Sequence, residues 1–182
     1  MIGRQLVTAL LLCSAYGMAQ AQPPSLTPIY NFTGTGDGAN PQSPVVVGEG
    51  GVLYGTTEFG GAHSAGTVFS MTPPASPGGA WTENVLYSFQ SGTDGAYPNS
   101  RLVIGRGGVL YGTTNGGGNY FGTARGNGTV FSLTPPASPG GQWTEAVIHI
   151  FGNTPNDGIV PTSGLALGPQ GVVRHHPVWP RT

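Results

Sequence analysis

The chain contains an internal repeat, and this feature restricts its fold more than any other. Three segments occur twice in the same order. They are VLYGTT at residues 52–57 and 109–114, GTVFS at 66–70 and 128–132, and TPPASPGG at 72–79 and 134–141. A partial copy begins near residue 28, and another ends near residue 173. Self-similarity of this kind indicates a protein built from successive structural units.

Each unit is predicted to contain four short strands. In the second copy the candidate strands are residues 81–89, 101–104, 109–113 and 129–134, which are rich in Val, Thr, Tyr and Phe and bounded by turn residues. No helical periodicity interrupts them. We therefore expect an all-β fold of tandem four-stranded antiparallel units that resemble β-propeller blades, with the kelch repeat nearest in length. A β-sandwich is the alternative.

The units are expected to cover residues 28–83, 84–145 and 146–173. Together they make about two and a half blades, whereas a closed propeller needs at least about four. The third unit should continue after Val173 into Tyr-Gly-Thr-Thr, but residues 174–182 read RHHPVWPRT instead. Loss of two bases in the gene would produce this ending for suitable codons. We therefore expect residues 174–182 to be an out-of-frame tail of an incomplete propeller.

Composition excludes some functions. Glycine and proline number 33 and 17 of the 182 residues, which without a period would indicate disorder, but here they recur at fixed places between apolar runs. Charged residues are only 7% and the net charge is −1, with no lysine. Because phosphate backbones are held by clusters of basic side chains, binding to nucleic acid is disfavoured.

Residues 1–21 are predicted to be a signal peptide. Arg4 precedes an apolar run at residues 6–15, and residues 19–21 form an Ala-x-Ala-like cleavage site. The run is too short to span a bilayer, so no membrane span is expected in the mature chain, residues 22–173 with the tail. The single cysteine, Cys13, lies in the leader. These features predict a secreted or cell-surface protein without disulfides.

The recurring aspartates and the adjacent histidines are the candidate metal ligands. Asp37, Asp94 and Asp157 each precede a glycine. A carboxylate that recurs could bind calcium, but the six to eight oxygen ligands of that ion are not visible nearby, and Asp-Gly is a common turn pair. His175 and His176 are adjacent, so on an extended chain they point to opposite sides. No catalytic, cofactor-binding or metal-binding residue is predicted.

An enzyme is disfavoured by the distribution of acids. Glycosidases and similar enzymes need two carboxylates that face one cleft. Of the seven acids, five recur in equivalent places, which leaves only Glu49 and Glu58 as unique candidates.

Aromatic residues and variable loops are the remaining candidates for binding. The recurring aromatic residues could stack on sugars, but their fixed places within strands favour packing between blades. They are Tyr30, Tyr54, Trp81, Tyr87, Tyr111 and Trp143. The loops at residues 58–65 and 115–127 differ in length between copies. We expect them to form a binding surface, since function in repeat folds tends to lie on variable loops.

The linked motifs LYGTT, GTVF and the LYxF…DGxxP pattern resemble the choice-of-anchor tandem-repeat family, built on the GloVer repeat. The resemblance covers about residues 29–171. It implies an exported bacterial repeat protein, often held at the cell surface by a C-terminal anchor, with no established activity and no catalytic residues to carry over.

The expected function is that of a non-enzymatic exported or cell-surface protein whose loops bind polysaccharide or protein. The alternatives are a fragment of a propeller-type secreted carbohydrate-active enzyme and a non-functional frameshifted fragment.

Overall fold

A computed structural model describes residues 27–120, 125–154, 156–168 and 173–175. The predicted leader, residues 1–21, lies outside the described residues, and so do residues 176–182 of the predicted tail. The described residues form these strands: β1 Val46–Val47, β2 Leu53–Thr57, β3 Thr67–Thr72, β4 Thr82–Ser88, β5 Ala96–Pro98, β6 Val103–Ile104, β7 Leu110–Gly116, β8 Thr129–Thr134, β9 Thr144–Ile150, β10 Leu165–Leu167 and β11 Val173–His175.

The strands form three antiparallel sheets. The first sheet contains β1 to β4 in chain order. The second contains β5 to β9, with β5 and β6 both paired to β7, and the third contains β10 and β11. Within the described ranges the only helical segments are three-residue 3₁₀ turns, and none of them could cross a membrane. The expectation of an all-β fold with antiparallel sheets is confirmed.

The first two sheets use one pairing pattern. Leu53 lies opposite Met71 in the first sheet, and Leu110 lies opposite Leu133 in the second. In both sheets a β-bulge lies directly before the phenylalanine of the GTVFS segment. The repeat in sequence is therefore a repeat in hydrogen-bond register.

The third sheet continues this register. Val173 lies opposite Leu167, just as Leu53 lies opposite Val47 in the first sheet. The backbone of β11 follows the pattern although its last two residues are Arg-His in place of Tyr-Gly.

The expected grouping of strands within a unit is wrong. The sequence analysis groups residues 81–89 in one unit with the three strands that follow them, but β4 pairs with β3 and so belongs to the first sheet. The TPPASPGG connector turns the chain back, so that Thr82 lies opposite Thr72. The length of the repeat is as predicted, but each sheet begins at a later strand than the sequence indicates: the second sheet starts at β5 and not at β4. Strand β5 was also missed, because its Ala-Tyr-Pro sequence lies between turn residues.

The hydrophobic core lies between successive sheets. One buried cluster joins side chains of the first sheet to side chains of the second. It contains Ala65, Val68, Phe89, Ala96, Leu102, Leu110, Phe131 and Leu133. A smaller cluster of Val130, Phe151 and Leu165 joins the second sheet to the third. Each sheet therefore buries its faces against its neighbours, as in other repeat proteins.

The glycine of LYGTT makes room for the phenylalanine of GTVFS. A Cβ atom added to Gly55 would lie 2.5 Å from the Phe69 ring, and one added to Gly112 would lie 2.6 Å from the Phe131 ring. Real Cβ atoms do not approach other atoms so closely. The two motifs therefore occur together because the ring of one strand covers the bare backbone of the next.

The threonines of the same two motifs form a buried hydrogen-bonded pair. The Oγ1 atoms of Thr57 and Thr67 are 2.8 Å apart, and those of Thr114 and Thr129 are 2.9 Å apart. In each pair the first hydroxyl also accepts a hydrogen bond from the backbone N–H of the second residue. All four side chains are at most 1% exposed. Burial without these partners would cost free energy, which explains why both motifs carry threonine.

Candidate binding surface

The two variable loops meet at Tyr97. Phe59 of the first loop packs edge-on against the Tyr97 ring, with the centroids 5.6 Å apart. Arg125 of the second loop has its Cζ atom 5.4 Å from the centroid of the same ring. A guanidinium at this distance is attracted to the ring. We call Tyr97, residues 58–65 and the described residues of 115–127 the loop surface.

An unusual backbone conformation places Tyr97 between the loops. Its φ is 57°, in the left-handed region, and its N–H donates to the carbonyl of Ala65 at 2.8 Å. Asn40 and Val160 occupy the equivalent place in the neighbouring copies, with φ of 60° and 52°. A β-branched residue rarely adopts this conformation. Tertiary contacts at the DGxxP turn therefore impose the conformation in each copy.

The first loop is held at its start and exposed at its tip. Glu58 accepts hydrogen bonds from Asn40 Nδ2 at 2.8 Å and from Gln42 Nε2 at 2.9 Å. Phe59 exchanges two backbone hydrogen bonds with Ala39. His63 is exposed at the tip. Both amide groups donate to the Oε2 atom of Glu58, so this acid positions the loop.

The second loop presents an exposed tyrosine. Tyr120 is 49% exposed, and its hydroxyl accepts a hydrogen bond from the Gly92 N–H at 3.2 Å. Asn119 donates from Nδ2 to the Gly152 carbonyl at 3.1 Å. These contacts tie the loop to the turns before and after its own sheet. The ring of Tyr120 is thus available to a ligand while its hydroxyl is held.

The recurring aspartates brace turns. Asp37 accepts hydrogen bonds from the Tyr30 hydroxyl and from the N–H and hydroxyl of Thr33. Burial alone would raise the pKa of Asp37, but the hydrogen bonds from Thr33 and Tyr30 outweigh it and lower the pKa. Asp94 is held in the same way by the Tyr87 hydroxyl and the Gln90 N–H. These contacts favour the turn interpretation over calcium binding.

The third aspartate has a different partner. Asp157 lies 3.2 Å from His149 Nε2 and accepts a hydrogen bond from the Asn153 N–H. A histidine therefore stands where the earlier copies have tyrosine, and its Nε2 atom takes the place of the tyrosine hydroxyl beside the aspartate.

A glutamate accompanies each of the first two aspartates. Burial first, and then the negative charge of Asp37, raises the pKa of Glu83 to about 7. Burial and the charge of Asp94 raise the pKa of Glu145 to about 7. The Oε1 atoms of both glutamates are buried without a hydrogen-bond partner among the described residues. These are the glutamates of the Trp-Thr-Glu segments, which the sequence does not connect with the aspartates.

Five of the six recurring aromatic residues, Tyr30, Tyr54, Tyr87, Tyr111 and Trp143, take part in packing. Tyr54 of the first sheet and Trp143 beside the second have ring centroids 6.3 Å apart, and both pack against the main core cluster. Tyr111 packs against the smaller cluster. The hydroxyls of Tyr30 and Tyr87 are engaged with aspartates. Packing between units is therefore favoured over sugar stacking for these residues.

Metal ligands are not gathered in the described residues, where no group of three or more His, Cys, Asp or Glu side chains could hold an ion. Of the two adjacent histidines, His176 and the side chain of His175 lie outside what the structure describes.

Phe59, Tyr97, Arg125 and Tyr120 were not singled out from the sequence. Phe59, Arg125 and Tyr120 lie in the predicted loops, but Tyr97 lies outside both. One signal was present: the Tyr-Pro that follows Asp94-Gly95 aligns with Asn-Pro after Asp37-Gly38. The residue before the proline differs between copies while the turn around it recurs, so this position is a candidate for a surface that differs between copies.

Comparison with curated proteins gave no match to this chain. Comparison with family models gave a match to the Gloeobacter/Verrucomicrobia repeat, over residues 16–173. This agrees with the resemblance carried by the LYGTT and GTVF motifs. Because the match covers most of the sequence, the chain belongs to the Gloeobacter/Verrucomicrobia repeat family.

Proposed function

We propose that this chain is an exported, non-enzymatic repeat protein whose loop surface binds polysaccharide. The observation that carries the proposal is the meeting of Phe59, Tyr97 and Arg125 where two variable loops come together. Aromatic faces stack on sugar rings, and a guanidinium donates several hydrogen bonds to hydroxyl or carboxylate oxygens. Tyr120 adds an exposed ring beside the half-buried rings of Phe59 and Tyr97.

The loop surface is better suited to binding than to catalysis. The acid that belongs to it, Glu58, is bonded to two amide groups. Cleavage of a glycosidic bond needs a second carboxylate about 5–10 Å away across a cleft. Two glutamates with raised pKa values, Glu83 and Glu145, lie on β4 and β9 beside turn aspartates, so they belong to different sheets.

Retention of the mature chain on insoluble and immobilised polysaccharides tests this function. Tyr97→Ala and Arg125→Ala should each weaken binding about tenfold, a loss of about 1.4 kcal/mol. Arg106→Ala is the matched control, since Arg106 is exposed in a turn at the end of β6. If no polysaccharide is retained, or if all three variants bind like the parent, the proposal is wrong. Retention of a protein partner that depends on Tyr97 would assign the loop surface to protein binding.

We also propose that the sheets are blades around a common axis. The inner strands β1, β6 and β10 line one cavity of about 500 Å³, which supports such an axis. Spin labels on the equivalent outer positions Asn84 and Ala146 should then lie farther apart than labels on the equivalent inner positions Val47 and Ile104. Equal distances would indicate a flat stack of sheets.

Export rests on the predicted signal peptide. Mass spectrometry of secreted material should show a chain that begins near Gln22. Cytoplasmic protein that retains Met1 would contradict it.

A further inference from the structure

Residues 29–32 correspond to the ends of β4 and β9. The Tyr30 and Phe32 rings pack edge-on at 5.0 Å, as those of Tyr87 and Phe89 do at 5.1 Å. Phe32 in turn packs on Phe69 at 5.0 Å, as Phe89 packs on Phe131 at 5.1 Å. The first copy therefore holds this segment against the next sheet in the same way as the second copy.

In the two later copies, this segment is paired with a GTVFS strand. Tyr87 lies opposite Val68, and His149 lies opposite Val130. The pairing ends with a backbone hydrogen bond of 3.0 Å from the N–H of the last aromatic residue, Phe89 or Phe151, to the carbonyl of the GTVFS glycine.

The same glycine also packs against the proline of the next DGxxP turn. A Cβ atom added to Gly66 would lie 2.6 Å from Pro98 Cδ, and one added to Gly128 would lie 2.6 Å from Pro161 Cδ. The residue before each proline donates its N–H to the residue before each glycine, at 2.8 Å in both copies. One GTVFS strand thus contacts both the aromatic segment and the turn that follows it.

The first copy has the aromatic segment at residues 29–32 and the DGxxP turn at residues 37–41, but the described residues include no GTVFS strand paired with them. Phe32 and Asn40 donate none of the equivalent backbone hydrogen bonds to described residues. Between them lies a cavity of about 370 Å³, lined by Tyr30, Phe32, Asn40 and Pro41 among others. Asn40 already has the left-handed conformation found at Tyr97 and Val160, so the turn is prepared for its partner.

We propose that residues 30–41 form a strand-binding socket whose occupant is the GTVFS strand of another repeat unit. The later copies specify the chemistry of that occupant. It is an extended segment with a small or amide residue, then glycine, then Thr-Val-Phe, because Gly66 and Gly128 admit no side chain against the proline. Addition of a strand to an exposed edge is a common mode of recognition, in which the backbone supplies affinity and the side chains supply specificity.

A peptide from this chain provides the probe. A fluorescent peptide of residues 125–134, RGNGTVFSLT, should bind the mature chain with saturable anisotropy and an affinity tighter than about 1 mM. The same peptide with Gly128→Val should bind at least about tenfold more weakly, since a side chain there meets the proline. Amide chemical shifts should change for residues 30–41.

Variants of the chain separate the socket from other sheet edges. Pro41→Asp should weaken binding of the parent peptide at least about tenfold. Pro44→Asp, at another exposed proline outside the cavity, should leave binding unchanged. Equal binding by both variants, shifts confined to β9 or β11, or no binding of the parent peptide at about 1 mM would overturn the proposal. Binding of polysaccharide at the loop surface is a separate measurement, so one result does not decide the other.

Discussion

The first and second sheets share strands, register and motifs, yet they are buried differently. Leu110 of the second sheet is fully buried, with 0% exposure, whereas its counterpart Leu53 is only partly buried. The second sheet packs against a sheet on each side, through the two core clusters. The same leucine of the LYGTT motif is therefore expected to contribute unequally to stability in the two sheets, because its burial depends on the neighbouring unit.

Removing equivalent leucines should give the largest contrast. Leu110→Ala is expected to lower the free energy of unfolding by about 3 kcal/mol, since it deletes a buried side chain and leaves a cavity. Leu53→Ala should cost about 1 kcal/mol, because its side chain already contacts solvent. Urea denaturation of the two variants measures both values. Equal losses would mean that the first sheet is as well covered as the second.

Removing equivalent buried hydroxyls should give a smaller effect and no contrast. Thr114→Val and Thr57→Val each delete the hydroxyl that joins two strands within one sheet. Each should cost about 1–2 kcal/mol, because the partner threonine and a backbone N–H lose a bond inside the protein. Thr72→Val is the control, since Thr72 is exposed on β3. Unequal losses at positions 57 and 114 would show that the neighbouring sheet also affects these hydrogen bonds.

The smallest effect concerns the two glutamates. Their pKa values of about 7 in the folded protein exceed the ordinary 4.5, so the folded state binds protons more tightly than the unfolded chain. Stability should therefore rise as pH falls from about 8 to about 5. The lowered pKa of Asp37 has the opposite sign, so its contribution is lost in stronger acid, below 3.8. The two glutamates, Glu83 and Glu145, are expected to respond alike, because burial and a neighbouring aspartate raise the pKa of both.

Neutral replacements test this sign. Glu83→Gln and Glu145→Gln should each stabilise the protein at pH 8 by about 1 kcal/mol, after allowance for solvent screening, and should have little effect at pH 5. Glu49→Gln, at an exposed turn, is the control. Destabilisation at pH 8 would show that the ionised glutamates form favourable contacts in solution.

Most of the fold could be predicted because its determinants are local. The LYGTT and GTVFS segments carry the β-forming residues of β2, β3, β7 and β8, and the TPPASPGG connector that follows GTVFS consists of turn residues. The sequence did not predict to which sheet β4 belongs, because a repeating sequence does not specify where one sheet ends and the next begins. The edge strand β5 was missed because only its pairing with β7 makes it a strand.

The candidate site was only half predictable. The differing lengths of the two loops indicated a surface, but their meeting at Tyr97 depends on how successive sheets stack. Glu83 likewise lies far from Asp37 in the sequence and approaches it only in the folded chain. Such long-range contacts leave no signal in the composition or period of the sequence.

The contact between the GTVFS glycine and the DGxxP proline has an evolutionary consequence. Gly66 with Pro98 and Gly128 with Pro161 are two instances of it. Since the first and second units each encode both a glycine and a proline of this kind, duplication of the corresponding gene segment creates a complementary junction at once, without compensating mutations. The loops between these anchors, at residues 58–65 and 115–127, can then diverge freely. A lineage can thus vary the number of units and the sequence of each loop by separate genetic events.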